Sequence, residues 1–99
     1  MGTEGDIMWK ATIVQGTEAE IAGHRIGVID SGVDTSGRGG ARLGVRCGEE
    51  VDRFSFFVGE ERVLPDGWSI RLDDVRMPAD RTRVPVVGLV LSAPVEPDV

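Results

Sequence analysis

Apolar residues recur at every second position in this chain, and no segment of helix length keeps the 3.6-residue spacing of an amphipathic helix. Trp9, Ala11 and Ile13 alternate with Lys10 and Thr12, and Ile26 and Val28 alternate with Arg25 and Gly27. Leu43, Val45 and Cys47 alternate with Arg42, Gly44 and Arg46. Phe54, Phe56 and Val58 form a further set, and Trp68, Ile70 and Leu72 alternate with Ser69, Arg71 and Asp73. Such alternation gives each strand one packed and one wet face, as antiparallel sheets have. The expected fold is all-β: a small antiparallel β-sandwich or partly open barrel of about eight strands.

Turn signals separate these runs. Pro65-Asp66-Gly67 combines a fixed φ with a residue that tolerates positive φ. Ala22-Gly23 and Gly59-Glu60 are short enough to close hairpins. Ser31 to Gly40 reads as a longer glycine-rich loop and Met77 to Arg83 as its later counterpart, while Gly16 to Ala22 fits a short strand. Residues 1–92 form one domain, and residues 93–99, with two prolines, form a flexible tail.

An offset of 44 positions brings the halves into register, placing Gly23 on Gly67, Ile26 on Ile70, Asp30 on Asp74 and Gly44 on Gly88. Turn, strand, loop and strand recur with the same spacing. A two-fold internal pseudo-repeat is expected, spanning about 7–47 and 51–91, each copy unable to bury its apolar face alone.

Charge narrows the partners. A net charge of −6 over 99 residues argues against nucleic-acid or anionic-membrane binding, which draw affinity from Lys and Arg contacts to phosphate. Arg25, Arg38, Arg42, Arg46 and Arg53 are interleaved with carboxylates along the sequence. The single cysteine, Cys47, excludes an intramolecular disulfide and a multi-cysteine zinc site, and its alternating run suggests a small buried hydrophobe. Met1 to Asp6 is polar and acidic, unlike a signal peptide, and no apolar stretch nears the ~20 residues of a membrane-spanning helix, so a cytoplasmic location is expected. Asn and Tyr are absent and lysine occurs once, a bias against AT-rich codons that suggests a high-GC bacterium or its phage.

Arg25 to Ser36, RIGVIDSGVDTS, resembles the aspartate box of subtilisin-like serine proteases, which would make Asp30 the residue that orients a catalytic histidine. The rest of that pattern is missing. The only histidine, His24, precedes Asp30 by six residues on one expected strand, roughly 20 Å at ~3.3 Å per residue, and no Gly-Thr-Ser box occurs. The family's large parallel α/β fold does not fit in this length. Asp30 and Asp34 flank a glycine-rich loop, and Asp73 and Asp74 precede a loop that contains Asp80; neither has the D-x-[DN]-x-[DN]-G spacing of a calcium loop, and both read as turn and solvated charges. Gly37-Arg38-Gly39-Gly40 lacks the Lys-Ser/Thr and helix of a phosphate loop.

Two sets of residues are left as candidates. Trp9 and Trp68 share faces with core residues, and His24, which the offset aligns with Trp68, is expected at a strand start with a partly exposed ring; these three could contact a small ligand held between sheets. The last strand, Val84 to Leu91, is apolar on both faces, so Val84, Val86 and Val90 form an outward row covered by the chain or by a partner. The expected function is a non-catalytic binding or assembly module, self-associating or meeting a protein partner. The alternatives are a binder of small hydrophobic molecules and a hydrolase or metal-dependent protein using the acidic loops. No catalytic, cofactor-binding or metal-ligating residue is assigned.

Overall fold

The computed structural model describes residues 8–80 and 83–94. Among the described residues there are eight strands: β1 (Met8–Val14), β2 (Glu18–Ile21), β3 (His24–Val33), β4 (Gly39–Cys47), β5 (Glu50–Phe57), β6 (Glu61–Val63), β7 (Ser69–Arg76) and β8 (Val86–Ser92). They form two antiparallel four-stranded sheets, ordered β1-β8-β7-β6 and β2-β3-β4-β5. No described residue is helical, so no helix is long and apolar enough to cross a membrane.

The alternating residues supply the core. Ile26 and Val28 of β3 and Leu43 and Val45 of β4 face Ile70 and Leu72 of β7 and Val87, Leu89 and Leu91 of β8. All nine are almost fully buried. Burying each such side chain contributes about 1.5–3 kcal/mol, which makes the inter-sheet layer the main stabilising element.

Two-residue turns close two hairpins of the second sheet. Ala22 and Gly23 both have positive φ (51° and 82°), the geometry that matches the twist of flanking strands. Gly48-Glu49 joins β4 to β5 across the Cys47–Glu50 pair. Gly59-Glu60, in contrast, closes no hairpin. β5 pairs only with β4 and β6 only with β7, so this turn carries the chain between sheets. Its amides are tied to the other strand instead: Gly59 N–H donates to Leu72 O at 2.8 Å, and Leu72 N–H donates to Glu60 O at 3.1 Å.

The expected loop from Ser31 to Gly40 is also shorter than its glycines suggest. Ser31, Gly32 and Val33 pair with Ala41, Gly40 and Gly39, leaving 34–38 as the turn. Asp34 organises it: Oδ1 accepts hydrogen bonds from Ser36 Oγ (2.6 Å), Ser36 N (2.9 Å) and Arg38 N (2.9 Å).

The strand order can be set beside the 44-residue offset without establishing a repeat. The offset maps β2, β3 and β4 onto β6, β7 and β8, and the fourth strand of each sheet comes from the other half, β5 beside β4 and β1 beside β8. The register slips between Val28 and Asp30 in β3 and, 44 residues later, between Leu72 and Asp74 in β7. Each bulge turns the following aspartate to the outer face: Asp30 lies opposite Arg42 and Asp74 opposite Gly88. The start of the first repeat at residue 7 and positions 95–99 of the tail lie outside the described residues.

Candidate functional site

The outer face of the second sheet gathers arginines that the sequence spreads apart. Arg25 of β3 pairs directly with Arg46 of β4, and Arg53 of β5 pairs with Gly44. Two glycine pairs, Gly27–Gly44 and Gly32–Gly40, interrupt the side-chain cover on this face. Each pair floors a depression.

The smaller depression, of about 400 Å³, is lined by Arg25, Arg46 and Arg53 with Ile29 and Val51 beside the Gly27–Gly44 floor. Arg25 makes only a long ion pair with Glu18 (3.9 Å), and Arg46 and Arg53 make none among the described residues. Arg25 and Arg46 place like charges directly opposite, which is unfavourable, and the lining sets three arginines against one carboxylate, Glu18, whose side chain lies over Gly27. The larger depression, of about 710 Å³, has its charges answered internally. Arg42 meets Asp30 (3.9 Å), Arg62 meets Glu60 (3.6 Å), and Arg38 lies 4.1 Å from the Phe57 ring centroid and 4.0 Å from Glu60.

A second polar cluster closes one end of the sandwich. One position beyond the Arg25–Arg46 pair, His24 and Cys47 stand side by side on the inner faces of β3 and β4. His24 is only 2% exposed, not the partly open ring expected at a strand start. The β6–β7 turn folds over it from the other sheet and brings Asp66 Oδ2 to 2.6 Å from Nε2. Nδ1 lies 3.2 Å from the Ile21 carbonyl. Because a carbonyl only accepts, Nδ1 carries a hydrogen and donates it. Asp66 is itself held by Trp68 N–H, which donates to Oδ1 at 3.2 Å. The Trp68 ring packs edge-on against His24, centroids 5.4 Å apart at 65°.

Both imidazole nitrogens are therefore engaged, and neither is free to act as a base toward Cys47. The Cys47 thiol is pushed above its ordinary range, first by burial and then by the charges of Asp66, Asp52 and Glu50. A neutral thiol beside an occupied imidazole is a poor nucleophile. The ligand atoms of His24, Cys47 and Asp66 nevertheless all lie within 4.8 Å of one another, a spacing that could hold a metal ion.

The other candidate residues are dispersed. Trp9 is 50% exposed near the start of β1, an edge strand. Trp68 is half-buried against the core, so only Trp68 and His24 of the three ligand candidates come together. In the outward row of β8, Val90 is 2% exposed, sitting between Lys10 and Arg71 in register, while Val86 is half-buried and Val84 is 45% exposed. The loop carboxylates are engaged too: Asp74 contacts Arg76 at 2.7 Å and Asp73 contacts Arg71 at 3.5 Å.

The arginine depression and Asp66 were not singled out by sequence. The even-numbered arginines of β4 carried the signal, since alternation places Arg42 and Arg46 on the face opposite Leu43 and Val45. Nothing local announces the contact between His24 and Asp66, 42 residues apart. Comparisons with protein-family models, with curated proteins and with solved structures gave no match to this chain.

Proposed function

We propose that this chain is a small non-catalytic binding module whose recognition surface is the outer face of the second sheet. Its ligand is a small anion bearing an apolar group. One observation carries the reading: Arg25, Arg46 and Arg53 surround a glycine-floored hollow that holds one carboxylate, Glu18, and two of the three lack an ion-pair partner among the described residues. Ile29 and Val51, both exposed, give the apolar part of such a ligand a wall to rest on. The hollow lies within the size range of small-molecule sites.

The overall charge of −6 does not oppose this locally, because charges are screened over roughly 8 Å at physiological ionic strength. It does oppose a long polyanion, whose charges extend past the hollow. Non-catalytic action is supported by the His24 imidazole, which has both nitrogens occupied beside a neutral thiol.

Calorimetric titration with phenyl phosphate tests the reading. One molecule should bind per chain, and Arg46→Ala or Arg53→Ala should each weaken binding more than tenfold, since a hydrogen bond to a charged group contributes about 1.5–3 kcal/mol. Absence of binding at millimolar ligand, or unchanged affinity in both variants, would refute it.

A second reading, assembly through the β8 side, is supported by Val84 and Val14, which are exposed beside half-buried Val86. Sedimentation at high concentration should then show a dimer that Val84→Glu dissociates. Descent from a duplicated unit is likewise proposed, supported by the bulges recurring at Val28/Asp30 and Leu72/Asp74.

A further inference from the structure

We propose that His24, Cys47 and Asp66 form a three-ligand site for a borderline-soft divalent transition-metal ion such as Zn²⁺. The donor set is nitrogen, sulfur and oxygen, the three atom types that Zn²⁺ takes from proteins. Hard cations such as Ca²⁺ and Mg²⁺, which take oxygen ligands, are disfavoured by the same set.

The histidine is oriented as a ligand. Metal-bound imidazoles almost always donate their second N–H to a carboxylate, backbone carbonyl or water, and Nδ1 of His24 donates to the Ile21 carbonyl. That bond leaves Nε2 as the coordinating atom. Nε2 faces Asp66 Oδ2 at 2.6 Å, a contact that requires a positive centre between the two lone pairs. A hydrogen supplies it in the metal-free pair; a divalent ion replaces that hydrogen and also displaces the Cys47 thiol proton, both protons leaving to solvent as the thiolate binds.

The geometry is within reach. Tetrahedral Zn²⁺, with bonds of about 2.0–2.3 Å, separates its donors by about 3.3–3.6 Å. The Nε2–Oδ2 pair must open by about 0.7 Å from 2.6 Å, and the widest separation, at most 4.8 Å, must close by about 1.2 Å. Asp66 can supply this movement, since it sits on an exposed turn whose other oxygen stays on the Trp68 amide. His24 is fixed by its burial. Asp66, Asp52 and Glu50 all place negative charge near Cys47, which favours a cation there.

The fold does not require these polar residues. The 44-residue offset that superposes the two bulges carries His24 onto Trp68, Cys47 onto Leu91 and Asp66 back onto Ala22. The corresponding positions of the other half are thus filled by apolar side chains. Three protein ligands leave a fourth position at the partly exposed side of Cys47 and Asp66 for water or a small ligand.

Titration of the full chain with Co²⁺ and Zn²⁺ tests the proposal, with no activity needed. One Co²⁺ should bind and give a thiolate-to-metal charge-transfer band with the visible bands of tetrahedral coordination. Zn²⁺ should displace it and raise the melting temperature. Cys47→Ala should abolish the band. Asp66→Asn, which keeps the hydrogen bond to Trp68, should weaken binding at least roughly tenfold. Circular dichroism should show both variants folded, and neither touches the arginine hollow, so failure here leaves the anion reading standing. Absence of the band at millimolar Co²⁺, or wild-type affinity in both variants, overturns the site.

Discussion

Two glycines on β4 should respond in opposite directions to the same substitution. Gly39 lies on the inner face, where an added Cβ would stand 3.1 Å from Val58 Cγ2 and 3.1 Å from Val75 Cβ. Gly44 lies on the outer face, where the nearest atom, Ile29 Cδ1, is 3.7 Å away, an ordinary contact. Neither has a positive φ, so alanine strains neither backbone. Both gain the same ~0.5–1 kcal/mol from replacing glycine in a strand. Overpacking costs about 1–3 kcal/mol, and only Gly39→Ala incurs it. The gap between the variants isolates that packing cost, because the backbone contribution cancels. In urea, with a slope of about 1–3 kcal/mol per molar, the two midpoints should differ by roughly 1 M. Gly44→Ala should unfold later than wild type and Gly39→Ala no later. Coincident midpoints at equal slope, or Gly44→Ala as the weaker variant, would show that the faces of β4 are assigned wrongly.

Three further outcomes follow from single sites. Leu72→Ala should cost about 2–5 kcal/mol by equilibrium unfolding, since the side chain is fully buried between the sheets; a loss below 1 kcal/mol would mean the layer is not packed. Asp34 is held below its ordinary 3.8 by hydrogen bonds, first from Ser36 Oγ and then from the Arg38 amide. Its support of the 34–38 turn is therefore complete above about pH 4 and lost as pH falls through the lowered value. Carboxylate NMR titration should place its midpoint under 3.8, and a midpoint above that contradicts the turn geometry. Cys47 should react slowly with iodoacetamide at neutral pH and faster in Asp66→Asn, which removes one of the charges that keep the thiol protonated. A rate equal to that of a free thiol would place the side chain in open solvent.

Strand existence and facing were legible in the sequence because burial acts on every second residue. Ile26, Val28, Leu43, Val45, Ile70 and Leu72 all reached the core that alternation assigned them. Strand partners were less legible. Gly59-Glu60 has hairpin chemistry yet crosses between sheets, because pairing depends on which strand lies beside β4 and not on the turn alone. The bulges were hidden as well. Strict alternation puts Asp30 on the face of Ile26 and Val28, and one extra residue, Ile29, moves it outward opposite Arg42. Trp9 follows its strand's inner phase and is still half exposed, since phase does not reveal an edge. The arginine hollow needed only the strand register, which alternation nearly supplies, whereas burial of His24 needed a turn from the opposite sheet.

Ligand recognition would centre on the Gly27–Gly44 floor between Arg25, Arg46 and Arg53, and amide NMR reads that floor directly. Titration of isotopically labelled protein with phenyl phosphate should shift the amide signals of Gly27, Gly44, Arg46 and Arg53 together along one saturating curve. Signals of the outer face of the first sheet, such as Thr12 and Gly88, should stay fixed. Shifts confined to other regions, or no saturation at all, would contradict a binding surface on the second sheet.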